Sequence, residues 1–387
     1  MRYLPSINRL WRRGLLGLIL LSLILTACQA GANPPTATPA AATSPTALNQ
    51  PGDAAATCGD KSKLAKTLHF YNWANYMDDA ILAEFEQTCG VKVVQDTFAS
   101  NEDLLAKLQA GASGYDLIIP SGYMVAIMRE LNLLAELDFS HIPNAANIMP
   151  IFHNPPYDPE QKMSLPYQWG TTGLAYNTKR VKEPIDGWED IFDAKKACGF
   201  GGLSMLNDAR EVLGAALKLK GYSMNDTDPA HWSEAKEIVS AIKPCITTFD
   251  NASFADVLQA GEVAVSHGFS GEFAKAIEAN PDLTYIVPKE GTTIWVDNMA
   301  VPNDAPNQYT AEIFINFILR PDIGARLTNY TYYASPNEAS KALINPDIIN
   351  NASIYPPADV MGKLEFLRDL GATTPLIEKL WTELKSQ

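Results

Sequence analysis

Short apolar runs alternate along this chain with longer amphipathic stretches, and turn-forming residues mark each change of period. LHFYN predicts a strand over Leu68–Tyr71, and the stretch after it predicts a helix over Asp78–Thr88. VKVVQDTF reads as a second strand. Ser100 followed by Asp103 resembles a capping box and opens the next helix. YDLIIP then reads as a third strand, with a helix over Tyr123–Glu130 behind it. This is the βαβαβ rhythm of a parallel sheet covered on both faces. A second run begins near Thr178, with strands expected near 203–206, 246–249, 263–266 and 284–287. The stretch NMAVP near 298–302 predicts a return to the first unit, followed by a helix at 310–319. No internal repeat is visible. The expected fold class is α/β, as two lobes joined by more than one crossover.

The first residues do not fit that rhythm. Arg2, Arg9, Arg12 and Arg13 form a basic segment, and the apolar run from Gly14 to Ala27 comes after it. That run is about 14 residues, short of the roughly 20 that span a bilayer as a helix. It ends in Leu25-Thr26-Ala27-Cys28, which resembles a bacterial lipobox, so residues 1–27 are expected to be a lipoprotein signal peptide with Cys28 as the lipidation site. Acyl chains on Cys28 would anchor the protein to a membrane, in the periplasm or at the cell surface. Residues 28–56 then provide the lipidated Cys and a tether almost entirely of Ala, Thr, Pro, Gly, Asn and Ser, which has too few apolar residues to fold. The body that remains is long enough for two lobes.

Charge narrows the partners only a little. The net charge of −14 becomes −18 without the four arginines of the signal segment, which argues against nucleic acid as a partner. Cysteine usage says more. Apart from Cys28 there are four, an even number in an exported protein. In a βαβ unit a helix ends near the start of the strand before it, so Cys58, upstream of the first strand, is expected to pair with Cys89. By the same logic Cys198 is expected to pair with Cys245, which closes the helix Ser233–Ile242. No CxxC occurs, and the five His show no metal-ligand spacing, so neither a metal nor another cofactor is expected.

The chemistry is carried by aromatic and acidic residues placed where strands end. Trp73 and Tyr76 follow the first strand, Ser121 and Tyr123 the third, Asp208 and Glu211 the strand at 203–206, and Phe269 and Glu272 the strand at 263–266. Trp295 and Asp297 fall where the chain is expected to cross between lobes. Open α/β sheets bind ligands beyond the carboxyl ends of their strands, so two facing lobes would bring this set into one cleft. Aromatic faces combined with carboxylates suit an organic cation with an apolar body. Trp169, Trp188, Trp232 and Trp381 are expected to pack in cores or on the surface, and each His to hold a satisfied structural role. Ser121 lacks the GxSxG of a nucleophile elbow.

The segments LHFYNWANY, FASNEDLLAKLQAG, YDLIIPSGYMV, LPYQWGTTGLAYN, NDAREV, IVPKEGTTIWVDNMAVP, YYASPNEA and IYPPADV run in order through almost the whole body. Over about 67–385 the chain resembles the substrate-binding proteins of bacterial spermidine/putrescine ABC transporters. CGFG, NDAREVLGAAL and IYPPADV lean toward the putrescine branch. The resemblance implies a type II periplasmic-binding-protein fold, a non-enzymatic monomer that hands a polyamine to ABC permease subunits. Lobe 1 is then expected from 57–174 and 297–342, and lobe 2 from 175–296 and 343–387. Carried over by position, Trp73 and Tyr76 would form part of the aromatic box, with Ser121 and Tyr123 opposite them. Asp208 and Glu211 could both face the cleft, Trp295 would pack on the methylene chain, and Asp297 would bind an ammonium. Tyr333 matches the late tyrosine of the family site. Asn75 stands where the family commonly has an acid, Phe269 where it usually has Trp, and Glu272 where the putrescine branch has an acid. Two other classes remain: a binder of the same fold for another solute, and a secreted enzyme. The second would need a triad, metal cluster or phosphate loop, and no such motif occurs.

Overall fold

The computed structural model describes residues 57–111 and 114–386. The expected signal peptide, Cys28 and the whole of the expected tether lie outside them. The described residues form one compact unit. Its strands are β1 Thr67–Trp73, β2 Lys92–Phe98, β3 Leu117–Ile118, β4 Ser164–Asn177, β5 Leu203–Met205, β6 Ile246–Phe249, β7 Val265–Phe269, β8 Leu283–Ile286, β9 Thr293–Ala300 and β10 Glu365–Phe366. They hydrogen-bond in the order β2-β1-β3-β9-β4-β7-β5-β6, with β8 on β4 and β10 on β9.

β1 pairs in parallel with β2 and β3, and β5 pairs in parallel with β6 and β7. These two parallel groups are joined by an antiparallel pair, β4 against β9. The first half of β4 (Ser164 to Thr171) lies on β9, and the second half (Thr172 to Tyr176) lies on β7. One strand therefore runs from one lobe into the other. Two large apolar cores flank the crossing. One gathers Leu68, Phe70, Phe85, Leu117, Phe314 and Phe317; the other gathers Trp188, Leu213, Trp232, Val265 and Phe273.

Several expectations change here. β4 is a strand that the sequence pattern does not announce: thirteen of its fourteen residues are buried, so it shows no alternation of polar and apolar positions. Trp295 and Asp297, expected where the chain crosses between lobes, lie within β9, a strand for which the sequence pattern set no bounds. The last segment also divides differently. Ile344, Ile348 and Ile354 pack in the first core, against the expectation that residues 343–387 belong to lobe 2, and only from Leu370 does the chain join the second core. Both expected disulfides are formed, Cys58–Cys89 and Cys198–Cys245. His267 departs from the expected structural role: it is fully buried on β7, edge-on to Trp188, and neither ring nitrogen has a partner. Burial alone pushes its pKa down to about 3, so it sits neutral in the core.

Candidate ligand cleft

A cavity of about 290 Å³ opens where the lobes face each other, at the small end of the range for ligand pockets. All twelve residues singled out from the sequence line it: Trp73, Asn75, Tyr76, Ser121, Tyr123, Asp208, Glu211, Phe269, Glu272, Trp295, Asp297 and Tyr333. Local structure explains how each arrives. Trp73 ends β1, and its indole N–H is fixed by the Ile119 carbonyl at 2.8 Å. Asn75 takes a left-handed conformation, φ 57°, which a short polar side chain tolerates; this turns the chain so that Tyr76 points inward. Ser121 and Asp208 are N-cap residues of the helices Gly122–Glu130 and Ala209–Leu219. Tyr332, left-handed at φ 62°, stops the helix Pro321–Thr331 and delivers Tyr333.

The rings form a continuous wall. Tyr167 meets Tyr76 edge-on at 5.2 Å, Tyr76 meets Tyr333 at 5.2 Å, Tyr333 meets Trp295 at 5.1 Å, and Trp295 meets Phe269 at 5.7 Å. On the other side Trp73 packs on Phe98 at 4.5 Å. Two glycines make the wall possible. A Cβ at Gly170 would come within 2.6 Å of the Trp295 ring, and one at Gly271 within 2.5 Å of the Tyr333 ring.

The carboxylates sit deep. Asp297 is 6% exposed and accepts a hydrogen bond from the Ser121 hydroxyl at 2.6 Å. Burial pushes its pKa up to about 7, against the pull of Ser121 and of Tyr76, whose own buried hydroxyl lies beside it without a hydrogen bond of normal geometry. Glu211 is 4% exposed and accepts from the Thr293 hydroxyl at 2.8 Å. Burial, with Asp208 adding repulsion, pushes it up to about 8. Asp208 caps its helix by accepting from the Arg210 and Glu211 amides at 2.8 and 3.0 Å, and still faces the cleft. Arg210 lies buried at this end, bound to the Arg368 and Met224 carbonyls, with its guanidinium 5.9 Å from the Tyr123 ring centroid. Burial also raises Glu272, with Lys275 pulling the other way. The Trp295 indole N–H is buried and unpartnered.

The sequence reading missed Phe98, Asn101, Tyr157, Asn251, Phe254 and Phe366, which also line the cavity. Phe98 ends β2, so the rule that found Trp73 could have found it. Tyr157 lies in irregular chain and gave no signal. Among the described residues no cluster of His, Cys, Asp and Glu is placed to hold a metal ion. No helix among them is long and apolar enough to cross a membrane.

Two α/β lobes joined by a crossing pair of strands, with buried carboxylates and aromatic faces between them, define a receptor that takes a small solute into an interlobe cleft. The chain belongs to the bacterial extracellular solute-binding protein family, whose model matches residues 80–356. The spermidine/putrescine-binding periplasmic protein of Escherichia coli is 34% identical over 322 residues, covering 83% of this chain and 92% of that protein. The putrescine/cadaverine-binding protein of Pseudomonas aeruginosa is 36% identical over 334 residues, 83% and 94% of the two chains. The solved structure of the TpPotD lipoprotein of Treponema pallidum superposes with a TM-score of 0.74 at 31% identity, covering 83% of this chain and 100% of that one.

Proposed function

We propose that this protein captures a polyamine, putrescine or spermidine, in its interlobe cleft and delivers it to an ABC permease without altering it. One observation carries the reading. Asp297 is buried against aromatic rings, with the Ser121 hydroxyl as its partner and a pKa pushed toward neutrality. A buried carboxylate is costly unless paired. An alkylammonium supplies the pair, and the methylenes behind it fit against Trp295, Tyr333 and Trp73. The amines of such a ligand have ordinary pKa values near 10.4 and enter charged. Exposed ion pairs give at most about 1 kcal/mol, whereas micromolar capture takes about 8 kcal/mol. Closure supplies the difference by excluding water from the pairs and adding cation–π contacts of about 2 kcal/mol each.

The names of the E. coli and P. aeruginosa relatives support the same ligand class and an extracytoplasmic location. The lipobox-like Leu25–Cys28 supports a lipid anchor at Cys28, and the kinship with a treponemal lipoprotein agrees with it. In this reading the site residues are the twelve named above, and the protein acts as a monomeric receptor rather than an enzyme. The test is calorimetry on the body from about residue 57 onward, purified free of ligand, with putrescine, cadaverine, spermidine and spermine in turn. At least one is expected to bind with a Kd of about 1 μM or below. Four titrations without binding heat, on protein shown to be folded, would overturn the reading.

A further inference from the structure

The strands that cross between the lobes have two faces, and only one looks into the cleft. Trp295 and Asp297 project there from β9, so the side chains of Ile294 and Val296 project the other way. Register carries this across the sheet: Trp169 of β4 lies opposite Val296, and Phe366 of β10 lies opposite Ile294. Side chains of paired residues share a face. On that reverse face Trp169, Ile294 and Phe366 line a second space, an apolar groove of about 210 Å³. Ile294 and Phe366 touch both spaces, as residues of a dividing layer do. The groove also draws on both lobes. Phe152 belongs to the first core, with Ile151 beside it, and Met361 packs against that core. Phe366 is tied to the second lobe, through the helix Ala209–Leu219 and the turn behind it. The Glu365 carboxylate accepts from Lys218 Nζ at 2.8 Å, and the Phe366 carbonyl accepts from the Asn225 side-chain amide at 2.9 Å. Ile151 and Phe366 are 61% and 40% exposed, so the groove stands open to water. The cleft, in contrast, is shut: the Asn251 amide donates to the Ala99 carbonyl across it at 3.3 Å.

We propose that this groove sets the balance between open and closed lobes, so that Ile151 tunes ligand affinity from the reverse face without touching the ligand. The inference rests on the reading that the protein captures its solute by closing. A rotation about the crossing strands that widens one face narrows the other. Opening the cleft therefore brings the Ile151 wall toward Phe366 and takes apolar surface out of water, which favours the open, ligand-free form. A ligand closes the cleft against that pull and re-exposes the groove. The apparent affinity of such a receptor scales with the fraction of molecules already closed. Anything that holds the groove wide raises that fraction, and the ligand then binds tighter through contacts that have not changed.

The experiment fills the groove with Ile151→Trp, a change at an exposed position that leaves both cores intact. Small-angle X-ray scattering follows the lobes. Ligand-free Ile151→Trp is expected to have a radius of gyration nearer the putrescine-bound value than ligand-free wild type has. Its putrescine Kd, by calorimetry, is expected to fall about tenfold, mainly through slower release. Leu343→Trp makes the same substitution at an exposed residue outside the groove, and is expected to match wild type in both measurements. A folded Ile151→Trp that is no more compact than wild type, or binds no tighter, overturns the inference. Equal tightening in Leu343→Trp also overturns it, as does a wild type whose scattering is unchanged by bound putrescine. A wild type that binds no polyamine overturns the functional reading instead. The two ligand-free proteins then still decide the inference, since a groove that controls the lobes makes Ile151→Trp the more compact.

Discussion

The two acidic ends of the cleft solve the same electrostatic problem differently. Around Glu211 the protein brings its own cation. Arg210 is buried beside Asp208 and Glu211, the Thr293 hydroxyl donates to Glu211, and two helix amides donate to Asp208. Around Asp297 the neighbours are a serine hydroxyl, a tyrosine and aromatic walls. Both carboxyls, Glu211 and Asp297, are held well above their usual range, but a buried guanidinium offsets part of the cost at the Glu211 end, whereas Asp297 has hydroxyls and rings for neighbours. The Asp297 end, with no cation beside it, is expected to gain most from a ligand's ammonium. Affinity in this account is concentrated at Asp297 and its wall, while the Glu211 end sets register.

That contrast can be broken by experiment. The largest effect is expected from Trp295→Ala, which removes the ring joining Phe269 to Tyr333 and should weaken putrescine about 100-fold or more by calorimetry. Wild-type affinity in that variant would show that the wall does not hold the ligand. Gly170→Ala leaves every functional group in place but pushes on the Trp295 ring. It should cost about tenfold in affinity while the Tm, followed by circular dichroism, falls only slightly. Glu211→Gln should weaken putrescine less than any change at Asp297, by about tenfold, because Arg210 remains to balance Asp208. A larger loss there than at Asp297 would reverse the ranking of the two ends.

The smallest effect is on pH. Burial raises Asp297 from the usual 3.8 to about 7, so below that pH the ligand must displace a proton. Asp297 should accordingly contribute a fall in putrescine affinity of up to about tenfold between pH 7 and pH 6, with proton release seen as buffer-dependent heat. Glu211, pushed up to about 8, adds its own fall below that pH, so affinity levels off only above about pH 9. The free protein moves the opposite way. A raised carboxyl pKa contributes stability that is complete below about pH 4 and is lost as pH rises toward about 7. An affinity independent of pH between 6 and 8 would remove Asp297 from the ligand's contacts.

Much of this site is legible in the sequence because strand ends announce themselves. Trp73, Ser121, Asp208 and Phe269 each come at the close of a short apolar run, and a parallel sheet gathers the closing residues of such runs at one edge. The strands that cross between lobes are not legible in this way. β4 carries Pro166, Gly170 and Gly173 in a run that is buried on both faces, so its residues read as motif and turn rather than as strand. β9 opens at Thr293 and places Trp295 and Asp297 in mid-strand, a setting that only the pairing with β4 determines. Long-range partners are hidden for the same reason. Nothing near Arg210 or Lys275 in sequence reveals that Tyr123 and Tyr330 face them from other elements. Asn75 shows the reverse case. By position it is a missing acid; in the fold it also suits a left-handed turn.

The most direct measurement is a paired one on Asp297→Asn: the Tm of the free protein at pH 8, and its affinity for putrescine. The amide keeps the size of the side chain and a group for Ser121 to meet, but removes the buried charge. The account predicts a free protein more stable than wild type by several degrees, together with a loss of putrescine affinity of about 100-fold or more. A variant that is no more stable, or that still binds putrescine as wild type does, would contradict the claim that an uncompensated carboxylate in an aromatic cleft is what this protein offers its ligand.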